Sequence, residues 1–142
     1  MFRTALFAGL LATGLISGAS AATVKYHATL NTKSEVPPKS GAGSGDMNAT
    51  LNTADKELAY TLTFKDLSGP ATAAHFHGPA GPDANAPVVV PIGSKSPKSP
   101  VHGTAKLTDA QISELNSGKW YVNVHTAENP GGEIRGQVAE AK

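Results

Sequence analysis

The clearest constraint on the fold is a strict alternation of apolar and polar side chains through residues 57–65. In a β-strand, successive side chains point to opposite faces of the sheet. The apolar residues Leu58, Tyr60, Leu62 and Phe64 therefore share one face, and the residues between them share the other. This pattern predicts a β-strand with one face packed into a core.

Shorter stretches of the same kind recur along the chain, separated by turns rich in glycine, proline, asparagine and threonine. One helix is predicted where Thr108 and Gln111 form a capping box, and Gly118 is well placed to end it. About eight short strands with closely spaced turns predict an all-β fold, an antiparallel β-sandwich or Greek-key-like barrel with one short helix. The predicted strands are residues 24–31, 45–53, 57–65, a stretch around His75, a short buried strand at 88–90, 101–107, a stretch around His125, and 133–138.

Residues 1–21 have the pattern of a signal peptide. Arg3 supplies a positive charge, an apolar run follows as far as Ile16, and residues 17–21 supply the small side chains that a cleavage site needs. The apolar run is short for a membrane span. We therefore expect cleavage after Ala21, export to the periplasm or the medium, and one domain over residues 22–142.

The charge balance and the absence of cysteine exclude several classes of function. The mature chain would carry equal numbers of basic and acidic residues, because Arg3 leaves with the signal peptide. A neutral chain without a basic run argues against nucleic acid as a partner, and no second apolar run is long enough for a membrane span. Cysteine is absent, so disulfides, thiolate ligands and cysteine nucleophiles are excluded and a core must stabilise the fold.

Two histidine-bearing stretches point to a metal site. Strand alternation puts His75 and His77 on one face of a strand and Phe76 on the other, and it puts His125 on the polar face of a later strand. If the two strands lie close together, the three imidazoles converge. Imidazole nitrogen suits copper, zinc, nickel or iron, whereas calcium and magnesium prefer oxygen. The alternative is that these are ordinary histidines of surface strands, because His-x-His alone is a weak motif.

Other polar residues could complete such a site. His27 and His102 are weaker candidates for a fourth ligand, since lone histidines on strands near a sheet edge are more often simply solvated. Glu35 and Asp83 could supply an oxygen or hold a ligating histidine, although solvated loop charge is the simpler interpretation. The loop of residues 78–87, rich in glycine and proline, begins directly after the His-x-His pair and could wall or cover the site.

The last predicted strand carries Glu133, Arg135 and Gln137 on one face, with Ile134 and Val138 pointing inward. One interpretation is a salt-bridged ladder on the surface that closes a hairpin. The other is that the hairpin presents the arginine beside the third histidine. A guanidinium near a metal would attract a small anion such as superoxide, a carboxylate or phosphate.

Other enzyme classes find little support in the sequence. The nucleophile elbow Gly-x-Ser-x-Gly is absent, and no two carboxylates stand out as a general acid and base. No glycine-rich phosphate loop precedes a helix. Nucleophilic and glycosidic catalysis are therefore not expected.

The chain resembles the CHRD domain, the module named for chordin and also found alone in exported bacterial proteins. The resemblance covers most of the predicted mature chain, from residue 28 to residue 137. It includes Glu-Val-Pro-Pro at 35–38, Ala-His-Phe-His-Gly-Pro-Ala at 74–80, Trp-Tyr-Val-Asn-Val-His-Thr at 120–126, and Asn-Pro-Gly-Gly-Glu-Ile-Arg-Gly-Gln at 129–137. The last of these runs is long and specific. The resemblance implies a β-sandwich and says less about activity.

The same resemblance bears on individual residues. The family pattern has histidine at the positions of His75, His77 and His125, and it has glutamate and arginine at positions 133 and 135. It does not include His27 or His102, which puts their role as ligands in doubt.

A looser similarity connects the predicted site with copper–zinc superoxide dismutases. Those proteins are also β-sandwiches with a His-x-His strand, a later histidine, and an Asn-x-Gly-Gly turn that leads to an arginine beside copper. His75, His77 and His125 resemble the copper ligands, and the turn that begins at Asn129 and leads to Arg135 resembles the arginine turn. Arg135 comes later than in that pattern, the disulfide cysteines are missing, and no zinc-binding set is evident. The similarity implies at most a copper-only site, and a shared architecture does not carry function.

Two functions are consistent with these patterns. The first is an exported β-sandwich that binds one copper ion through His75, His77 and His125, and that either dismutates superoxide with Arg135 steering the anion or buffers and delivers copper. The second is a non-enzymatic module that binds a protein or matrix partner, with histidines that hydrogen-bond the loop of residues 78–87. Imidazoles too far apart to share an ion would exclude the first.

Overall fold

The computed structural model describes Gly18 and residues 21–142, so the predicted signal peptide lies almost entirely outside the described residues. Within the described part, no helix is long and apolar enough to cross a membrane. The elements are β1 (Thr23–Asn31), a 3-10 turn (Thr32–Ser34), β2 (Ser44–Asn52), β3 (Glu57–Lys65), β4 (Ala71–His77), β5 (Val88–Pro91), β6 (Val101–Lys106), α1 (Asp109–Asn116), β7 (Tyr121–Thr126), β8 (Ile134–Gln137) and β9 (Ala139–Glu140).

The strands form one antiparallel sheet in the order β5-β4-β7-β8-β1-β2-β3-β6, with β9 paired to β1. Residues 92–99 connect the two ends of this sheet. At one end the Ile92 amide donates to the Ala74 carbonyl at 2.9 Å, and at the other the Phe64 amide donates to Ser99 Oγ at 2.9 Å. The sheet is therefore a nearly closed barrel, which confirms the predicted all-β antiparallel fold.

The inner face of the barrel packs around one hydrophobic core. Leu58, Tyr60 and Leu62 are buried, as the alternation of β3 predicts. Phe76 and Trp120 enter the same core, and the Tyr60 and Phe76 rings meet edge to face with centroids 5.4 Å apart. Burying a side chain of this size stabilises the fold by roughly 1.5–3 kcal/mol. The core holds β4 and β7 in place, and their outer faces carry the polar residues.

The predicted helix forms as α1, and its capping box is present. Thr108 Oγ1 accepts a hydrogen bond from the Gln111 amide at 3.2 Å, and the Thr108 amide donates to Gln111 Oε1 at 2.9 Å. Gly118 has a φ of 69°, the left-handed conformation that glycine adopts at little cost after a helix. Leu115 anchors the helix in the core.

Three details differ from the sequence expectations. The strand at residues 88–90 was expected to be buried, but Val88 is 48% exposed and only Val90 is buried. The cause is its position, because β5 lies at the end of the strand order. The 3-10 turn and β9 were not predicted, since two or three residues are too few to give a periodic pattern.

Candidate metal centre

The two histidine-bearing strands are direct neighbours. In the antiparallel pairing of β4 with β7, His75 lies opposite Asn123 and Ala73 lies opposite His125. His75, His77 and His125 therefore project from the same outer face of the sheet. Each offers one ring nitrogen, and these three nitrogens all lie within 4.8 Å of one another. The predicted convergence of the imidazoles is confirmed.

The closest pair in this group is His75 and His125. His75 Nδ1 lies 3.0 Å from His125 Nε2, so one nitrogen donates a hydrogen bond to the other. Two nitrogens bound to one ion at about 2.0–2.1 Å, roughly 90–110° apart, lie about 3 to 3.4 Å from each other. The separation of His75 Nδ1 and His125 Nε2 therefore matches the spacing that two ligands of one ion require.

Backbone carbonyls orient two of the rings. His125 Nδ1 donates to the Pro130 carbonyl at 2.9 Å, which leaves Nε2 with the lone pair that faces His75. His77 Nδ1 lies 2.8 Å from the Ala86 carbonyl, to which it donates. Such contacts are typical of metal-binding histidines, because they fix the tautomer and the direction of the free nitrogen.

His77 is held more tightly than the other two rings. It is 8% exposed, and its second nitrogen, Nε2, lies 3.0 Å from Asn123 Oδ1. Both ring nitrogens therefore have oxygen neighbours, and His77 must give up one of these contacts to bind an ion. His75 and His125 are free of this constraint.

The protonation of the pair suits metal binding. Burial, together with the neighbouring His125 and His77, lowers the pKa of His75 to about 4. Burial also lowers the pKa of His125, although the bond to Pro130 opposes the change. Both rings are therefore neutral near pH 7, and neutral imidazole is the form that binds metals.

Arg135 does not lie beside His125, as one interpretation of the sequence expected. Its guanidinium carbon lies 3.5 Å from the centre of the Tyr121 ring, and the His77 ring stacks parallel to Tyr121 with centroids 4.8 Å apart. Because β7 lies between β4 and β8, the arginine and the histidine approach the tyrosine from opposite sides. Arg135 thus contacts the histidine cluster through an aromatic ring.

The hydrogen bonds of Arg135 tie down the loop of residues 78–87. Nη1 donates to Asn85 Oδ1 at 3.1 Å, and Nη2 donates to the carbonyls of Gly81 and Ala84 at 2.9 and 2.8 Å. The side chain is 1% exposed. The loop in turn presents the Ala86 carbonyl to His77, so Arg135 supports the cluster from two directions. Its role in steering an anion stays a prediction.

Glu133 is also buried, at 2% exposure, so the interpretation of a salt-bridged surface ladder is wrong. Its carboxylate accepts hydrogen bonds from the Ser68 amide at 2.7 Å, the Ser68 hydroxyl at 2.5 Å, the Thr126 hydroxyl at 2.6 Å and the Asn129 amide at 3.1 Å. Burial opposes ionisation, but these hydrogen bonds outweigh it and hold the pKa of Glu133 below its usual value. The bonds to Thr126 and Asn129 hold in place the turn that contains Pro130.

Glu35 is the residue whose place differs most from expectation. It was expected to be a solvated loop charge, yet it is 4% exposed, whereas Asp83 is exposed as expected. Glu35 Oε1 and Asn123 Nδ2 both lie over Gly132, where an added Cβ would stand 2.3 and 2.7 Å from them. Burial raises the pKa of Glu35 to about 6, although Arg135 opposes the change. No sequence signal separates this glutamate from an exposed one.

His27 and His102 lie outside the cluster. His27 Nδ1 contacts Asn48 Oδ1 at 3.1 Å, and His102 Nδ1 contacts Thr61 Oγ1 at 2.9 Å, on the outer face of β1, β2, β3 and β6. Among the described residues, the group able to share an ion contains His75, His77 and His125 and neither of these two.

Comparison with known proteins gives one match. The family model of the CHRD domain matches residues 26–138, which include all three clustered histidines and both loops that cover the polar face. No curated protein and no solved structure matches the chain.

Proposed function

This chain belongs to the CHRD domain family, and we propose that its three clustered histidines bind one transition-metal ion. The observation that carries the proposal is the group of three ring nitrogens within 4.8 Å of one another. The carbonyls of Pro130 and Ala86 support it, because they orient His125 and His77 as backbone oxygens orient metal ligands elsewhere.

We propose copper as the ion. The ligand set contains imidazole nitrogen, with no carboxylate or thiolate, and sites of this kind bind Cu(II) more strongly than the other divalent first-row metals. Copper supplies one-electron redox chemistry. His75 and His125 are only partly buried, so the chain leaves a side of the site open to a small ligand or to a copper donor.

Two activities are consistent with such an ion. One is dismutation of superoxide, and the other is buffering or delivery of copper. For the first, Arg135 contributes chiefly by holding the loop and the Tyr121 ring, since both of its Nη atoms already donate to oxygen atoms. That Arg135 also attracts the superoxide anion is a separate proposal. A superoxide-consumption assay on copper-loaded protein distinguishes the two activities.

A second candidate function rests on His77. Because both of its nitrogens have oxygen partners, it fits a structural histidine that holds the loop of residues 78–87 for a protein or matrix partner. In that case the loop and the cluster form a fixed surface, and no metal is required. The two candidates differ in whether copper binds.

Titration with Cu(II) in the presence of a competing chelator tests the proposal. The variants His75→Ala and His125→Ala remove one ligand each, and His27→Ala and His102→Ala are matched controls from outside the cluster. We expect one tightly bound copper per chain, lost or weakened at least tenfold in the first two variants and retained in the controls. Equal binding by all five proteins, or no tight copper in any, would contradict the proposal.

A further inference from the structure

Asn123 is a fourth polar residue on the face that carries the histidine cluster. It lies directly opposite His75 in the pairing of β4 with β7, and it precedes His125 by two positions on the same strand. Residues two apart on a strand share a face, so its side chain projects on the same side as the three imidazoles. The residue is 3% exposed. Asn123 is therefore a buried amide that adjoins two of the proposed ligands.

The amide oxygen of Asn123 has the spacing of a ligand. Its Oδ1 lies 3.0 Å from His77 Nε2, the same separation as that between His75 Nδ1 and His125 Nε2. Two donor atoms bound to one ion lie about 3 to 3.4 Å apart. The cluster therefore contains two pairs of atoms, each with the spacing of neighbouring ligands, and Asn123 belongs to the second pair.

Glu35 and Gly132 fix the orientation of this amide. Burial raises the pKa of Glu35, and a hydrogen bond from Asn123 opposes that change. Because a carboxylate accepts hydrogen bonds, this contact uses an N–H of Asn123 and leaves Oδ1 on the side of His77. Gly132 makes room for the contact, since a Cβ there would stand 2.7 Å from Asn123 Nδ2. Metal ligands are typically oriented by a second partner of this kind.

The orientation of His77 places a lone pair opposite the same oxygen. Its Nδ1 donates to the Ala86 carbonyl, so in the neutral ring Nε2 carries a lone pair. Two lone pairs that face each other at 3.0 Å repel, and the contact becomes favourable only with a positive charge between them. A proton on Nε2 or a metal ion bound to both atoms supplies that charge. The neighbouring pair of His75 and His125 favours the ion.

We propose that Asn123 Oδ1 is the fourth ligand of the copper site, beside the imidazoles of His75, His77 and His125. This inference rests on the proposed function and adds a residue to its site. Sites with nitrogen and oxygen ligands suit Cu(II), and an amide oxygen serves as a ligand in some copper sites formed by histidines. Asn123 thus binds the ion itself, and Glu35 positions Asn123.

The test is electron–nuclear double resonance of protein labelled with ¹³C at the side-chain carbonyl of asparagine and loaded with one equivalent of Cu(II). A bound amide oxygen holds its carbon within about 3.4 Å of the ion, which is close enough for a resolved coupling. We expect this ¹³C coupling in the wild type. Asn123→Asp keeps the size of the side chain and removes the labelled carbon, so the coupling should disappear.

Asn48 provides the matched control, because its Oδ1 also contacts a histidine, His27 Nδ1 at 3.1 Å, on a strand outside the cluster. Asn48→Asp should keep the ¹³C coupling. In a copper titration, Asn123→Leu should bind Cu(II) about tenfold more weakly than the wild type, and Asn48→Leu should bind it equally well. Circular dichroism checks that each variant is folded. Unchanged affinity in a folded Asn123→Leu would contradict the proposal.

The resonance experiment separates this inference from the proposed function, because the wild type alone gives both answers. Nitrogen couplings from three imidazoles together with the ¹³C coupling would support both. The three imidazole couplings without the ¹³C coupling would overturn Asn123 as a ligand and leave the histidine site standing. Absence of bound copper would overturn both.

Discussion

His75 Nδ1 lies 3.0 Å from His125 Nε2, although the two residues are 50 positions apart in the chain. The pairing of β4 with β7 brings them together, and the Pro130 carbonyl turns the lone pair of His125 toward His75. The contact combines two features that a metal site needs, a short separation and neutral rings. The proposed copper site depends on this pair, with His77 as the proposed third ligand.

Arg135→Met should destabilise the protein by about 3 kcal/mol. The substitution removes three hydrogen bonds and leaves the oxygens of Gly81, Ala84 and Asn85 without their donor. It also removes the cation from the face of Tyr121. Urea denaturation measures the change. The exposed Lys95→Met should alter the free energy of unfolding by less than about 0.5 kcal/mol, and an equally small effect at Arg135 would show that the loop does not need this tether.

Glu133→Gln should lower the free energy of unfolding by about 1–3 kcal/mol at pH 7, because an amide offers a donor where Ser68, Thr126 and Asn129 already donate. The folded-state pKa is depressed, so the ionised carboxylate stabilises the fold above the ordinary value of 4.5. This stabilisation is lost as the pH falls through the folded-state pKa. Denaturation curves from pH 7 to pH 3 should converge for wild type and variant. The exposed Glu128→Gln should show no such difference.

Gly132→Ala should destabilise the folded protein far more than Gly131→Ala does. At Gly132 the φ is 123°, and a Cβ would lie 2.3 Å from Glu35 Oε1 and 2.7 Å from Asn123 Nδ2, whereas at Gly131 it would meet nothing within 4 Å. Backbone strain and overlap together should cost roughly 2–4 kcal/mol. Because Asn123 contacts His77, copper affinity should fall as well. Similar melting temperatures for the two variants would contradict the packing described here.

Glu35→Gln should change how stability depends on pH. Burial raises the pKa of Glu35 from 4.5 to about 6, so the carboxyl ionises at a lower pH in the unfolded chain than in the folded one. Wild-type stability should therefore decrease by up to about 2 kcal/mol as the pH rises from 4.5 to 6, and stay lower above that. The variant should lack this decrease. Parallel pH profiles for the two proteins would show that the carboxyl is not desolvated.

The barrel and the histidine cluster could be predicted because each depends on strand periodicity. Alternation in β3 gave the buried face of Leu58, Tyr60 and Leu62, and the same rule put His75 and His77 on the opposite face from Phe76. The capping box of α1 could be predicted in the same way, from Thr108 and Gln111 three residues apart. These signals are local, so the sequence contains them directly.

The burial of Glu35 and Arg135 could not be predicted in the same way. Period two puts Arg135 on the outer face of β8, which is correct, but that face is covered by residues 33–38 and by the loop of residues 78–87. Whether an outer face is covered depends on how distant loops fold, and these loops have no regular period. The role of Arg135 in tying down residues 81–85 is visible only once both are in place.

Pulsed electron paramagnetic resonance of protein labelled with ¹⁵N-histidine and loaded with one equivalent of Cu(II) tests the central claim most directly, because it counts the imidazoles bound to the ion. We expect three coupled imidazoles in the wild type and two in His75→Ala, with His102→Ala unchanged at three. A copper signal without coupled imidazole, or one that His75→Ala leaves unaltered, would contradict a metal site formed by His75, His77 and His125.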